Sequence, residues 1–307
     1  MPSIELTHIT KSFGAVKAVD DVSFSVEKGE LFGLLGPNGA GKTTGIRVML
    51  DIFKPDSGSV AILGGPMTEA KKNVIGYMPE ERGLYQDIPL ERCLTYLGSL
   101  KGLSQTEVRQ RSEAYLERFD LAAHKHKKVK ELSKGMQQKA QIIATVLHHP
   151  ELLIVDEPFS GLDPVNTQIV KDLLREQREA GVTVVLCSHQ MHLVEELCDR
   201  IVLIDHGKVM LYGALDEVRK QFSGNEVLVR ADRDLPALPG VERAEPHNSA
   251  VKLHLAPGTK PQDVLRAIVA QEIAVEHFEI SMPDLDEIFI RVVQSTPKGQ
   301  GKGASNE

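Results

Sequence analysis

An α/β fold with a largely parallel sheet is predicted by two features of the first two thirds of the chain. Short apolar runs alternate with helical patterns, and the runs themselves do not alternate with polar residues. Leu31-Phe32-Gly33-Leu34-Leu35, Leu152-Leu153-Ile154-Val155 and Val182-Thr183-Val184-Val185-Leu186 read as strands buried on both faces. From about residue 87 to 150 the texture is helical. Leu90, Cys93, Leu94 and Leu97 follow the i, i+3, i+4, i+7 spacing of one helix face, and Met136, Ala140, Ile143, Ala144 and Leu147 repeat it. A helical subdomain inserted into the α/β core is expected there. A composition shift at Phe222-Ser223-Gly224-Asn225 opens a second set of elements, with short strands at 226–231 and 250–255, a helix at 260–271 and a strand at 274–280. Residues 1–222 therefore read as one domain and 223–293 as a small C-terminal α+β domain. The stretch 294–307, rich in Gly, Lys and Ser without an apolar anchor, reads as a disordered tail. There is no internal repeat.

Composition narrows the function classes. With 41% hydrophobic and 26% charged residues the chain is an ordinary globular one. Its 36 basic and 43 acidic residues, a net charge of −7, argue against a surface built to grip nucleic acid. The basic run His124-Lys125-His126-Lys127-Lys128 reads as a solvated face. No stretch approaches the ~20 apolar residues of a membrane span, and the N-terminal residues lack the basic-then-apolar order of a secretory signal. A cytoplasmic location is expected. Cys93, Cys187 and Cys198 have no Cys-x-x-Cys spacing and read as buried or incidental thiols.

The sharpest chemical signal is Gly36-Pro37-Asn38-Gly39-Ala40-Gly41-Lys42-Thr43-Thr44, a Gly-x-x-x-x-Gly-Lys-Thr loop between a strand and a helical pattern. Its glycines let backbone N–H groups curl around phosphate oxygens, and the helix adds its positive N-terminal end. Lys42 is placed to reach the β- and γ-phosphates of a nucleotide and Thr43 to offer a hydroxyl to Mg²⁺. The second signal is the apolar strand ending in Asp156-Glu157-Pro158. Adjacent strand residues point to opposite faces, so the two carboxylates are expected to do different work. Asp156 suits a Mg²⁺ contact and Glu157 a general base for the attacking water.

The order of phosphate loop, helical insert, Leu132-Ser133-Lys134-Gly135-Met136-Gln137-Gln138, Asp156-Glu157 strand, Ser160-Gly161-Leu162-Asp163 and His189 resembles an ATP-binding-cassette (ABC) ATPase, a P-loop NTPase, over residues 1 to about 222. The resemblance implies a nucleotide-binding role for Ser133, Lys134 and Gly135 as the signature segment. It implies a D-loop at Ser160–Asp163, a switch histidine at His189 and an adenine-stacking aromatic at Phe13. Two departures stand out: Lys134 and Met136 replace the usual Gly and Gln of the signature. Tyr77-Met78-Pro79-Glu80 has an acid where the family usually has glutamine. Ser133 can still begin a helix that faces phosphate. Lys134 either adds a positive charge at the partner's γ-phosphate or faces solvent. Glu80 can ligate Mg²⁺, with Glu81 leaving the register open.

These departures, with Pro283-Asp284-Leu285-Asp286-Glu287-Ile288-Phe289-Ile290 near the end, resemble the ABC-2 exporter ATPases, sodium-export-like and multidrug-like members included. The resemblance implies an ATP- and Mg²⁺-dependent subunit that powers export through separate permease subunits at the cytoplasmic face of the membrane. Its partners would be those permeases and a second cassette, identical or different, with no nucleic acid. The C-terminal domain is expected to hold the cassettes together or regulate them. A soluble ABC ATPase acting on ribosomes or DNA is the alternative. It is disfavoured by the single cassette and by an interval between Lys42 and Asp156 with no room for a long coiled coil. A non-hydrolysing cassette is disfavoured by the presence of Lys42, Asp156, Glu157 and His189.

Overall fold

The computed structural model describes residues 1–222 and 226–295, and the chain divides into two compact units, residues 1–215 and the part from Asp216 onward. Unit one runs β1 (Ile4–Phe13), β2 (Val16–Val26), β3 (Leu31–Leu35), α1 (Lys42–Met49), β4 (Ser57–Ile62), α2 (Glu69–Asn73) and β5 (Ile75–Met78). It continues with α3 (Leu90–Leu100), α4 (Gln105–Arg118), α5 (Lys134–Val146), β6 (Leu152–Asp156), α6 (Pro164–Glu179), β7 (Thr183–Ser188), α7 (Met191–Leu197), β8 (Arg200–Asp205) and β9 (Lys208–Ala214).

Two sheets share its core. Strands β2-β1-β4 form an antiparallel sheet, and β5-β6-β7-β3-β8-β9 form a second in which only the edge strand β9 runs antiparallel. The central strands are apolar throughout because both faces are covered: β3, β6 and β7 have no exposed residue. One apolar cluster, from Ile4 and Phe24 to Phe32, Ile46 and Ile154, joins the inner faces of both sheets. The carboxyl ends of β3, β6 and β7 lie side by side, the place where open α/β sheets put their ligands.

Helices α3, α4 and α5 occupy the helical stretch between β5 and β6. Ser104 and Glu107 close a reciprocal capping box at the start of α4. Ser133 caps α5, its Oγ accepting from Met136 N at 3.2 Å. Beneath α5, the Nε2 of half-buried His148 and the Nζ of Lys101 both donate to the Ile75 carbonyl, at 3.2 and 2.8 Å. Burial and the Lys101 charge push the His148 imidazole down to about 4, and its Nδ1 has no partner. An unfolded histidine titrates near 6.5, so between these values the unfolded chain binds the extra proton. Stability is therefore full above pH ~6.5 and falls as pH drops toward 4, by about 2 kcal/mol after allowing for partial solvent access. Denaturant titrations of wild type and His148→Gln at pH 7.5 and 4.5 check this: the gap in the wild type's favour should shrink at the lower pH.

Unit two comprises α8 (Leu215–Phe222), whose first residue ends unit one, β10 (Glu226–Ala231), β11 (Val241–His247), β12 (Ala250–Leu255), α9 (Pro261–Ala270), β13 (Val275–Ile280) and α10 (Leu285–Ser295). The compact division thus falls seven residues before the composition shift at 222. Side chains explain why: Arg219 donates to the Pro283 carbonyl and Arg291 to that of Phe222, tying α8 to this unit. The sheet order is β11-β12-β10-β13, all antiparallel, over a core that includes Val227, Leu253, Val264 and Ile268. On α10 the buried seam is Leu285, Ile288 and Val292, with Phe289 half-buried. Of the expected 294–307 tail, residues 294–295 instead close α10, and 296–307 lie outside the described residues.

Candidate active site

The loop after β3 can be built only with glycine at two of its turns. Gly36 (φ 150°) and Gly41 (φ 104°) approach the Ile204 and Ala18 carbonyls so closely that a Cβ on either would lie 2.1 Å from the oxygen. Lys42 opens α1 and arches back over this loop, its Nζ donating to the Gly36 and Pro37 carbonyls at 2.7 and 3.1 Å. The ammonium is buried with only neutral oxygens as hydrogen-bond partners, an arrangement that an anion would improve. Residues 38–44 line a cleft of about 410 Å³ whose other walls include Lys17, Glu80, Asp156, Glu157 and the His206-Gly207 turn.

Asp156 and Glu157 do face different partners. Asp156, 1% exposed, accepts from Thr43 Oγ1 at 3.2 Å and from the buried Cys187 thiol, and burial raises its carboxyl above the usual range. Glu157 follows β6 in a left-handed conformation (φ 51°), its N–H donating to the Cys187 carbonyl at 2.9 Å. Its carboxylate accepts three bonds from the end of β7: Ser188 Oγ at 3.2 Å, His189 N–H at 2.8 Å and His189 Nδ1 at 2.7 Å. Since a carboxylate accepts, Nδ1 carries a proton and Nε2 is turned free for another group.

In the loop after β5, Gln141 donates to the Pro79 and Glu81 carbonyls, at 2.7 and 3.3 Å, and Glu80 lines the cleft. Ser133 and Lys134 stand exposed and Gly135 half-buried at the α5 N-terminus, outside the cleft of their own chain. Phe13 is not brought into the cleft either. Its ring, 47% exposed, sits edge-on to Phe53 with centroids 5.4 Å apart, and the cleft wall nearest in sequence is Val16 to Ala18. Sequence reading missed Ser188, Gln138 and the His206-Gly207 turn. Ser188 adjoins His189 and Gln138 follows the signature segment, but an amide and a hydroxyl signal nothing until their partners are seen. The Asp-His-Gly-Lys turn at 205–208 was the one readable cue.

Residues 19–160 match the family model of the ABC transporter, and 213–293 match that of the ATP-binding protein DrrA1-3-like, C-terminal domain. Among similar proteins, the uncharacterized ABC transporter ATP-binding protein YhaQ of Bacillus subtilis (strain 168) is 40% identical over 94% of this chain and 98% of its own length. The linearmycin resistance ATP-binding protein LnrL of the same organism is 32% identical, covering 95% and 99%. The daunorubicin resistance ATP-binding protein DrrA3 of Streptomyces coeruleorubidus is 32% identical, covering 92% and 93%. A solved structure of the ATP-binding subunit of an ABC transporter superposes with a TM-score of 0.67 at 33% identity, over 71% of this chain and 92% of that one.

Proposed function

The chain belongs to the ATP-binding subunits of ABC transporters, which hydrolyse ATP to power transport, and from that premise we propose that Lys42, Thr43, Asp156, Glu157 and His189 carry out Mg²⁺-dependent hydrolysis in the cleft at the end of β3. The observation that carries this is their convergence: a loop of backbone donors, a buried ammonium and a carboxylate fixed by Ser188 and His189 all border one space. Residues 36–44 wrap the phosphates, and Lys42 exchanges its two carbonyls for phosphate oxygens. Glu157 takes a proton from the water that attacks the γ-phosphorus, releasing ADP and phosphate. His189 holds Glu157 through Nδ1–H, and its Nε2 is left to accept from the attacking water. Phe13 stacks on adenine once the base enters beside Val16.

Thr43 Oγ1 and Asp156 Oδ2, already 3.2 Å apart, and Glu80 form an all-oxygen donor set that suits a hard cation such as Mg²⁺. Bound there, the ion neutralises charge on the phosphate oxygens. Chelating Mg²⁺ with EDTA should drop hydrolysis to background while a fluorescent ATP analogue still binds; turnover that persists in EDTA would sink this assignment.

The α5 start at Ser133-Lys134-Gly135, its first two residues exposed, is read as the surface that covers the nucleotide of a second cassette, a second copy of this chain. The permease contact is placed on the 80–86 loop and α3. Tyr85 and Tyr96 there pack edge to face with centroids 5.3 Å apart, and with Leu100 they leave half-exposed apolar surface. Among the described residues no helix is long and apolar enough to cross a membrane, so transport is assigned to separate permease chains, with this subunit at the cytoplasmic face. Likeness to LnrL and DrrA3, both named for resistance, supports export. The C-terminal unit (223–293 by composition) is assigned to holding or regulating the cassette pair.

A further inference from the structure

Gln138 is a polar side chain shut inside the protein, 3% exposed, in the second turn of α5. Its Nε2 donates to two successive carbonyls, those of Glu157 and Pro158, at 3.1 Å each. These carbonyls belong to the buried turn after β6 in which Glu157 holds its left-handed conformation. For a residue with a side chain that conformation costs roughly 1–2 kcal/mol and persists only where the surroundings over-determine it. The surroundings here are explicit. The Glu157 N–H is taken by the Cys187 carbonyl, and the Glu157 carbonyl by Gln138 and by Ser160 N–H at 3.2 Å. Both peptide units flanking the Glu157 Cα are therefore pinned, and the direction of its Cβ follows from them.

The geometry points to Gln138 as a positioning residue for the carboxylate of Glu157, an inference that rests on Glu157 being the base. Without the amide, two buried carbonyls lose a donor and the turn is released toward ordinary backbone angles, which swings the carboxylate away from Ser188 and His189. A misplacement of about 1 Å is enough to cost roughly 100-fold in rate. General packing does not account for the contact. Gly135 already meets the Gly161 carbonyl closely enough that an added Cβ would lie 3.2 Å from it, and Lys139 Nζ donates to Asn166 Oδ1 at 3.1 Å. These keep α5 seated when Gln138 is changed. Because Ser133 caps α5, one helix joins the segment read as covering a partner's nucleotide to the backbone of this chain's own base.

The test uses the purified full chain with Gln138→Met, which keeps length and loses both donors, and Gln138→Glu, which turns acceptors toward the carbonyls when ionised and regains one donor when protonated. For Gln138→Met, kcat should fall about 30- to 100-fold with KM for ATP within about twofold of wild type. For Gln138→Glu, the ratio of its kcat to that of wild type should fall at least about fivefold from pH 6 to pH 9 as the new carboxyl ionises. Every ionisable group except the new carboxyl is common to both proteins, so the ratio isolates the change. A Met variant within threefold of wild type, or a flat Glu ratio, overturns the inference; should the Met variant not fold, the ratio decides. If Glu157→Gln itself keeps wild-type turnover, the base assignment fails instead.

Discussion

Glu157→Gln lowers ATP turnover by about 10²- to 10⁴-fold, the range that a positioned general base supplies, while ATP binding survives. The amide keeps the size of the carboxyl: its oxygen can still accept from His189 N–H, which now meets Glu157 Oε1 at 2.8 Å, and its NH₂ can donate to the Ser188 hydroxyl, which now meets Oε2 at 3.2 Å. What it cannot do is take the proton of the attacking water. The backbone is untouched, so the left-handed turn and the bond from Gln138 remain. The loss should therefore lie in kcat, with KM for ATP changed little. Steady-state phosphate release and binding of a fluorescent ATP analogue, measured on the same preparation, check both halves.

Lys42→Ala produces the opposite split, because its side chain is spent on binding. The ammonium is buried against the Gly36 and Pro37 carbonyls at 2.7 and 3.1 Å, and those neutral acceptors are what phosphate oxygens replace. Hydrogen bonds to charged groups contribute about 1.5–3 kcal/mol, which is about 10- to 100-fold in Kd. Lys42→Arg should not rescue it, because a planar guanidinium cannot take the place of a compact ammonium inside the loop. Isothermal titration with ATP under saturating Mg²⁺ measures the affinity loss; wild-type affinity in Lys42→Ala would show that the loop does not hold the phosphates.

The parts of this site that were legible from residues alone are those fixed by short-range geometry. The loop at 36–44 needs glycine where its backbone brushes the Ile204 and Ala18 carbonyls. Ser133 declared itself as a helix cap for the same reason. The two acids after the apolar strand do take different partners, but through the left-handed turn at Glu157 rather than strand alternation, since β6 ends at Asp156 and both acids line one cleft. What stayed hidden depends on contacts between distant segments. Gln138 reaches a carbonyl 19 positions away and Ser188 a carboxylate 31 positions away, and neither pairing leaves a local pattern. The β1, β2 and β4 sheet went unread, as did β11. In β11 Pro246 argues against a strand, yet the structure puts it at the edge of its sheet, where a missing N–H costs little. Phe13 sits at a readable motif position, but its ring rests against Phe53 outside the cleft lining.

In the proposed cycle two copies of this chain close on ATP, with the Ser133 helix start of one covering the cleft of the other and Glu157 governing their release. Light scattering behind size exclusion, applied to Glu157→Gln with and without Mg²⁺-ATP, tests it most directly. A single-chain mass is expected without nucleotide and a doubled mass with it, reversed when exposed Lys134 is replaced by glutamate. A chain that binds ATP and keeps its single-chain mass at saturating nucleotide would contradict it.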